Sequence, residues 1–433
     1  MNIPATASAR GYVVVPPGAL DHDDIYQLLS TRIAGMPLLV RQLRTLKAAG
    51  CYDLSVVCDP AQAANLASIN SGSFSVRCIS CLDPQLVNLS DTEDRADKPA
   101  NWQVAVVLDV FTVLRPDAVY HAIAATAQDE LFRYGVNNEE RLAVAVFRAD
   151  CIRPAIEAFL TGVSTPDPVG HLGDRVSSLD TAILGRVSGP QSARIVEERL
   201  WDLCRKPEDG LVSRYFNRHL SIAFSRRIAR YPVHPNHVSI ANFGLALVAC
   251  WLVSKPDYSS ILVAALLFQL NSILDGVDGE LARVRHQSSL VGEWIDTITD
   301  DLSNILFSGA LGVSVWRATG NTDWLWLAAA SMAPMLGNMA YNYLHLARMK
   351  RGDVLATGWF AMSRSRAPDR PTVKQKLVAL GTTVFRQDFL VGLFLIFAVL
   401  NLAHIALLII LPSAWIVFLA NMGLALTGRA DAG

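Results

Sequence analysis

Residues 275–300 read D-G-V-D-G-E-L-A-R-V-R-H-Q-S-S-L-V-G-E-W-I-D-T-I-T-D, which sets Asp275, Asp278, Asp296 and Asp300 inside sequence otherwise apolar enough for a membrane. An ionised aspartate near the centre of a bilayer costs roughly 2.5–3.5 kcal/mol on insertion scales, so acids in such segments face a cavity, a partner or an ion. Asp275 and Asp278 are three residues apart and Asp296 and Asp300 four apart, so on helices each pair shares one face. Two such helices side by side bring four carboxylates to one point.

The 433 residues are 52% hydrophobic and 18% charged, with a mean hydropathy of +0.29. That is too apolar for an ordinary soluble protein and too polar to be all membrane. Short apolar runs alternate with polar stretches up to about residue 200, whereas long windows after about 235 carry few charges. This predicts a soluble domain over 1–200, a linker with a juxtamembrane helix over 201–235 and a membrane domain over 236–428. A formal net charge of -1 gives no global signal for nucleic acid, and none is expected as a partner. Met1 to Tyr12 lacks the basic-then-apolar pattern of a cleaved signal peptide. Seven cysteines are scattered, and the C-x-x-C at Cys78 and Cys81 has no second pair to complete a zinc site, so the thiols read as small core residues of a reducing compartment.

Six apolar windows, at about 237–254, 258–274, 297–316, 324–345, 387–402 and 404–425, predict an all-α, six-helix transmembrane domain. The second must continue as helix straight into the acidic motif. With six spans, Arg205 to Arg230, Arg283, Arg285, the stretch from Arg348 to Lys376 and Arg429 fall on one side, opposite loops that hold Lys255 and Arg317. By the positive-inside rule both termini and the acidic motif then lie at the cytoplasmic face. Between the halves, Tyr215, Phe216, Leu220, Phe224 and Ile228 recur at helical spacing among Arg214, Arg218, Arg226, Arg227 and Arg230. This pattern reads as an amphipathic helix on anionic headgroups, or, more blandly, as a soluble linker helix. Pro232 and Pro235 end it.

Written out, D-x2-D-G-x2-A-R-x8-G-x3-D-x3-D also fixes Gly279, Ala282, Arg283 and Gly292. The pattern resembles the signature of the CDP-alcohol phosphotransferases at every motif position, and the resemblance covers about residues 205–425. It implies an integral-membrane, metal-dependent enzyme that joins a CDP-linked alcohol donor to a lipid or polar alcohol acceptor and releases CMP, as in phospholipid synthesis. Asp275, Asp278 and Asp296 are then the principal metal ligands. Asp300 sits beside the metals as the base for the acceptor hydroxyl, its role overlapping with that of Asp296. Gly279, Ala282, Arg283 and Gly292 belong to the CMP side. The chemistry asks for these residue types independently, because hard oxygen ligands suit Mg2+ or Mn2+ and two such ions about 4 Å apart hold both phosphates. Resemblance further implies a homodimer among membrane lipids, in a bacterial or archaeal cytoplasmic membrane.

Three features around the motif stay open. Asn236 either caps the first span or meets substrate. Arg348, Arg351 and Arg364 either bind an anionic acceptor or reflect positive-inside sorting alone. Asp301 reads as a cap or surface residue.

In the first half, Gly11–Val15, Leu54–Cys58, Phe74–Ile79, Val104–Leu108 and Leu142–Phe147 are strand-like, with helix-period segments such as Leu38–Ala49 between several of them. Such alternation predicts an α/β domain with a mostly parallel sheet. I-A-G-M-P-L-L-V-R-Q-L-R-T-L-K-A-A-G at 33–50 resembles a sugar-type nucleotidyltransferase, and Asp109 in V-V-L-D-V-F matches that family's metal-binding aspartate. After the first strand, however, P-P-G-A-L-D-H-D-D has one glycine, no Lys or Arg and three acids where a phosphate cradle needs amides and a cation. The expectation is a nucleotidyltransferase-like fold without cytidylyl transfer, serving as scaffold, regulator or dimer element. Members with such a domain in front often handle inositol-type substrates. The competing class of function is an ion-coupled transporter whose membrane acids bind cations, although the Asp pattern has no second copy.

Overall fold

Val13 to Val15, Val56 and Val57, and Val104 to Leu108 are β-branched or aliphatic runs that fit a pleated sheet covered on both faces. The computed structural model describes residues 8–15, 22–59, 66, 77–80, 102–129, 132–136, 142–148, 156, 159, 176–205, 212–349 and 387–426. The chain divides into two units, Met1–Leu203 and Cys204–Gly433.

The first unit runs β1 (Ser8–Val14), α1 (His22–Ser30), β2 (Arg32–Ile33), β3 (Met36–Pro37), α2 (Leu38–Ala48), β4 (Cys51–Cys58), β5 (Arg77–Ser80), β6 (Trp102–Asp109), β7 (Thr112–Leu114), α3 (Pro116–Asp129), β8 (Phe132–Val136), β9 (Leu142–Arg148), β10 (Val176–Ser178), β11 (Ile183–Arg186) and α4 (Pro190–Asp202). Seven strands form one sheet in the order β10-β8-β9-β6-β1-β4-β5. β1 is parallel to β4 and β6, β4 to β5, and β8 to β10, while β9 runs antiparallel to β6 and β8. The sheet is mostly parallel, and α2 lies between β1 and β4 in sequence, burying Leu38, Leu39, Leu43 and Leu46. Ahead of α2, the β2–β3 turn places Ala34 and Gly35 at φ 49° and 77°, the left-handed pair that a two-residue hairpin requires. Cys51, buried at the start of β4, has its thiol pushed up to about 12 by desolvation, which suits an inert core residue.

Asp109, matched above to a metal-binding position, is buried at the end of β6. Its Oδ2 accepts a hydrogen bond from Thr112 Oγ1 (2.9 Å) and lies 3.7 Å from Arg186 Nε, and its Oδ1 accepts from the Phe111 amide (3.3 Å). Much of that carboxylate is spent on closing the turn from β6 to β7. The acid-rich loop after β1 and Cys81 of the C-x-x-C lie outside the described residues, apart from the acids at its end.

The second unit opens with a wide turn at Ser213–Asn217 and continues as α5 (Arg218–Ile228), α6 (Pro235–Val253), α7 (Tyr258–Val284), α8 (Leu290–Thr319), α9 (Asp323–Met349), α10 (Gln387–Val399) and α11 (His404–Leu426). Phe268, Phe307 and Phe394 knit α7, α8 and α10 with ring centroids 4.7, 4.8 and 6.3 Å apart, all edge-on. The six-span expectation is corrected. Among the described residues three helices are long and apolar enough to cross a membrane, Pro235–Val253, Tyr258–Val284 and His404–Gly423, which still describes a multi-pass membrane protein. The other windows fall short for identifiable reasons. α8 carries Glu293, Asp296, Asp300, Asp301 and Arg317. In α9, asparagines, tyrosines and His345 interrupt the apolar run. Among the described residues the apolar stretch of α10, Phe389–Val399, covers ~17 Å at 1.5 Å per residue, part of a hydrocarbon core of about 30 Å.

Close helix approach in this unit depends on glycine. A Cβ on Gly312 of α8 would collide with Ala328 Cβ on α9 and lie 3.0 Å from the Trp324 carbonyl oxygen, neither of which is a flexible side-chain end. Gly312→Ala is therefore expected to destabilise the unit by about 1–3 kcal/mol, the usual cost of overpacking, seen as a lower unfolding temperature in detergent. An unchanged midpoint would contradict this packing.

Candidate metal centre

α6 packs along both α7 and α8 and so sets the spacing of the two acid-bearing helices. Pro235 at the first turn suits the start of α6, and His234 Nδ1 accepts from the Asn236 amide (3.3 Å). The cap considered for Asn236 thus belongs to His234. The Asn236 side chain instead reaches α8, its oxygen 3.0 Å from the point where a Cβ on Gly292 would stand. Ser289 starts α8, its Oγ accepting from the Gly292 amide (3.1 Å). Gly292 therefore belongs to the seam between α6 and α8.

Asp275 on α7 and Asp296 and Asp300 on α8 each offer a carboxylate oxygen, and the three oxygens lie within 4.8 Å of one another. All three residues are half-buried. At no more than that separation, with an effective dielectric constant of about 20, each pair of ionised carboxylates repels by at least roughly 3 kcal/mol. A divalent cation removes this cost. Ions bonded to oxygen at about 2.1–2.5 Å hold ligands on opposite sides roughly 4–5 Å apart, so the spacing and the all-oxygen donor set fit a hard divalent ion. Asp278 stands beside this trio. It is buried, its Oδ2 accepts from Ser239 Oγ of α6, and its Oδ1 accepts from the Gly279 amide. A turn further along, Asn242 and Asn271 exchange amide-to-carbonyl bonds of 3.3 and 3.0 Å, pinning α6 to the same face of α7.

Arg283 lies back over Gly279, where a Cβ would stand 3.2 Å from its Nη1. Ala282 is half-buried on the same helix. Arg348 is exposed in the last turn of α9, away from any described acidic partner, and Arg351 and Arg364 lie outside the described residues, as does the K-P-E-D-G segment at 206–210. Asp301, in mid-helix, neither caps nor lies on the surface. It is half-buried and faces the Tyr343 hydroxyl of α9.

Sequence reasoning missed a second polar seam, on another face of α7. Glu280 has no exposed surface, and its oxygens accept from Arg218 Nη1 (2.8 Å), Ser221 Oγ (2.6 Å) and Ser225 Oγ (2.6 Å), all on α5. Asn217 bonds Gln269 and Ser272 at one end of this seam, at 2.8 and 3.0 Å. At the other end Arg285 donates to the carbonyls of Ala229, Tyr231 and Val233 at 2.6–2.8 Å. Arg218, expected among the headgroup-facing arginines, is buried, whereas Arg214, Arg226, Arg227 and Arg230 are exposed beside Tyr215, itself 73% exposed, Phe216, Leu220 and Phe224. The available signal was Ser221 and Ser225, small hydroxyls one turn apart on α5.

Residues 232–417 match the sequence model of the CDP-alcohol phosphatidyltransferase family. A bifunctional IPC transferase and DIPP synthase of Thermococcus kodakarensis is 36% identical over 137 residues, 31% of this chain and 29% of that protein. The protein of the same name from Rubrobacter xylanophilus is 35% identical over 158 residues, 36% of this chain and 34% of its own. A CDP-diacylglycerol--inositol 3-phosphatidyltransferase of Drosophila melanogaster is 33% identical over 66 residues, 15% of this chain and 28% of that enzyme. These matches span about a third of each relative's length.

The three-carboxylate geometry makes a direct claim about metal affinity. Asp296→Asn is expected to weaken Mn2+ binding, measured calorimetrically, by about tenfold or more, since affinity follows ligand charge. Asp301→Asn serves as the control and should stay within about twofold. Equal losses in both would place the ion elsewhere.

Proposed function

We propose that the second unit is a metal-dependent CDP-alcohol phosphotransferase. The observation that carries this reading is the Asp275–Asp296–Asp300 cluster, assembled by two helices inside the stretch that matches the family. Asp275, Asp296 and Asp300 would hold one Mg2+ or Mn2+, and Asp278, oriented by Ser239, would help hold a second. When bound, the ions neutralise the diphosphate of the donor and polarise its phosphorus.

The chain's own residues supply the rest. Arg283, laid over the Gly279 backbone, meets a donor phosphate, while Gly279 and Ala282 leave that side of α7 open to CMP and Gly292 lets Asn236 of α6 approach α8 beside it. Asp300 accepts the proton of the acceptor hydroxyl. The acceptor oxygen bonds to the β-phosphorus as the bond from that phosphorus to the bridging oxygen breaks. CMP departs with the electron pair, and the proton stays on Asp300.

Two donor classes fit this scheme, CDP-diacylglycerol with a polar acceptor or a CDP-linked head group with a lipid or soluble alcohol. The name of the Drosophila relative supports an inositol-type substrate. Exposed Arg214, Arg226, Arg227 and Arg230, in and around α5, favour a cytoplasmic site by the positive-inside rule. Their aromatic neighbours suit membrane lipid, and Arg348, Arg351 and Arg364 would contact an anionic acceptor. The reading also carries a homodimer in a prokaryotic membrane. For the first unit it carries a nucleotidyltransferase-like scaffold without cytidylyl transfer, in keeping with an Asp109 already engaged by Thr112 and Arg186.

Purified protein supplied with Mg2+ or Mn2+ and a panel of CDP-alcohols and acceptors is expected to release CMP. Asp300→Asn should lower kcat by about 10²–10⁴-fold, the range of general base contributions. Undiminished CMP release by that variant would remove Asp300 from its role. No release with any donor, together with metal-dependent ion flux in vesicles, would support the transporter instead.

A further inference from the structure

Glu280 and Arg283 are three residues apart on α7, a spacing at which a glutamate and a following arginine ordinarily pair. Here they do not. Glu280 gives one oxygen to Arg218 Nη1 and Ser221 and the other to Ser225, at 2.6–2.8 Å. Arg283 instead lies over Gly279, and its buried Nε donates to no acceptor among the described residues. The buried Cys204 thiol lies in the field of all three charges, that of Arg283 foremost. A carboxylate with no exposed surface must have a cation. Two are within reach, and α5 supplies the one that is used.

We infer that Arg218 is a positioning residue which, by neutralising Glu280, keeps the Arg283 guanidinium over Gly279, where it can bind a phosphate of the CDP-linked donor. The inference rests on the function proposed above. Helix packing supports the arrangement, since a Cβ on Gly276 would stand 3.3 Å from Arg218 Nη1 and 3.2 Å from Ser221 Oγ, so α5 lies close enough to deliver its arginine. Without Arg218, the bare carboxylate of Glu280 draws Arg283 off Gly279, and the donor loses its cation. Loss of a residue remote from the nucleotide then weakens nucleotide binding, and removing the charge of Glu280 restores it.

The test is calorimetric titration of CDP into the full chain with Mn2+ present. Arg283→Ala should weaken binding by about tenfold or more, and Arg218→Met by a similar factor. Glu280→Gln alone, and the double variant Arg218→Met/Glu280→Gln, should both stay within about threefold of the unaltered protein. Rescue in the double variant shows that the loss runs through the charge of Glu280, and Mn2+ affinity that Arg218→Met leaves unchanged separates a displaced Arg283 from a general loss of the fold. Unchanged affinity in Arg218→Met overturns the inference, as does a loss that Glu280→Gln fails to restore. If Arg218→Met does not fold, the remaining variants decide, because weakened binding in Glu280→Gln or in the double variant contradicts the inference. Absence of CDP binding by the unaltered protein, or an Arg283→Ala variant that binds normally, overturns the donor reading beneath it.

Discussion

Charge that a bilayer will not hydrate must be neutralised by the protein itself, and the second unit is arranged around that constraint. At 3.6 residues per turn, α7 presents two polar faces. Asn271, Asp275 and Asp278 look toward α6 and α8, and Gln269, Ser272, Gly276 and Glu280 look toward α5. The α5 face is closed by protein groups, with Arg218 and two serines on Glu280. On the other face three carboxylates crowd within 4.8 Å and call for a cation. Gly279 and Arg283 lie on the strip between the two, where a neutral structural seam borders a charged chemical one.

Close approach makes both faces possible. α6 can touch α8 at Gly292, and α5 can touch α7 at Gly276, because neither position has a side chain. Ser239 and Asn242 hold α6 to the acid-bearing side of α7, while Arg285 fixes the far end of α5 through three carbonyls. Polar groups and glycines thus fix α5 and α6 against α7 and α8, beside the phenylalanine cluster that knits α7, α8 and α10. That suits an apolar surrounding, where contact between aliphatic side chains gives little preference for one helix over another.

Much of the site was legible because its spacing is informative by itself. Acids at three and four residues' separation share a helix face whatever surrounds them, and the apolar run before Asp275 does continue as one helix through Val284. The α/β alternation in the first unit was also legible, from its β-branched runs. Glu280 was not, because it occupies an unspecified position within the motif. Arg218 was misread because positive-inside sorting and buried ion pairing use the same residue type, and only the fold tells them apart. The span count failed for a related reason. Window hydropathy registers the aliphatic residues of α8 and α9 and dilutes the acids and amides that give those helices their work. Strands β7, β8, β10 and β11, three to five residues each, are too short to show a period.

The proposed chemistry depends on α7 and α8 gathering their aspartates around a divalent ion. Anomalous diffraction at the manganese edge, from crystals grown with Mn2+ and CDP, addresses it without reference to turnover. A peak enclosed by Asp275, Asp296 and Asp300 is the expected outcome. A peak at another set of residues, or none there with CDP visibly bound, would contradict the account.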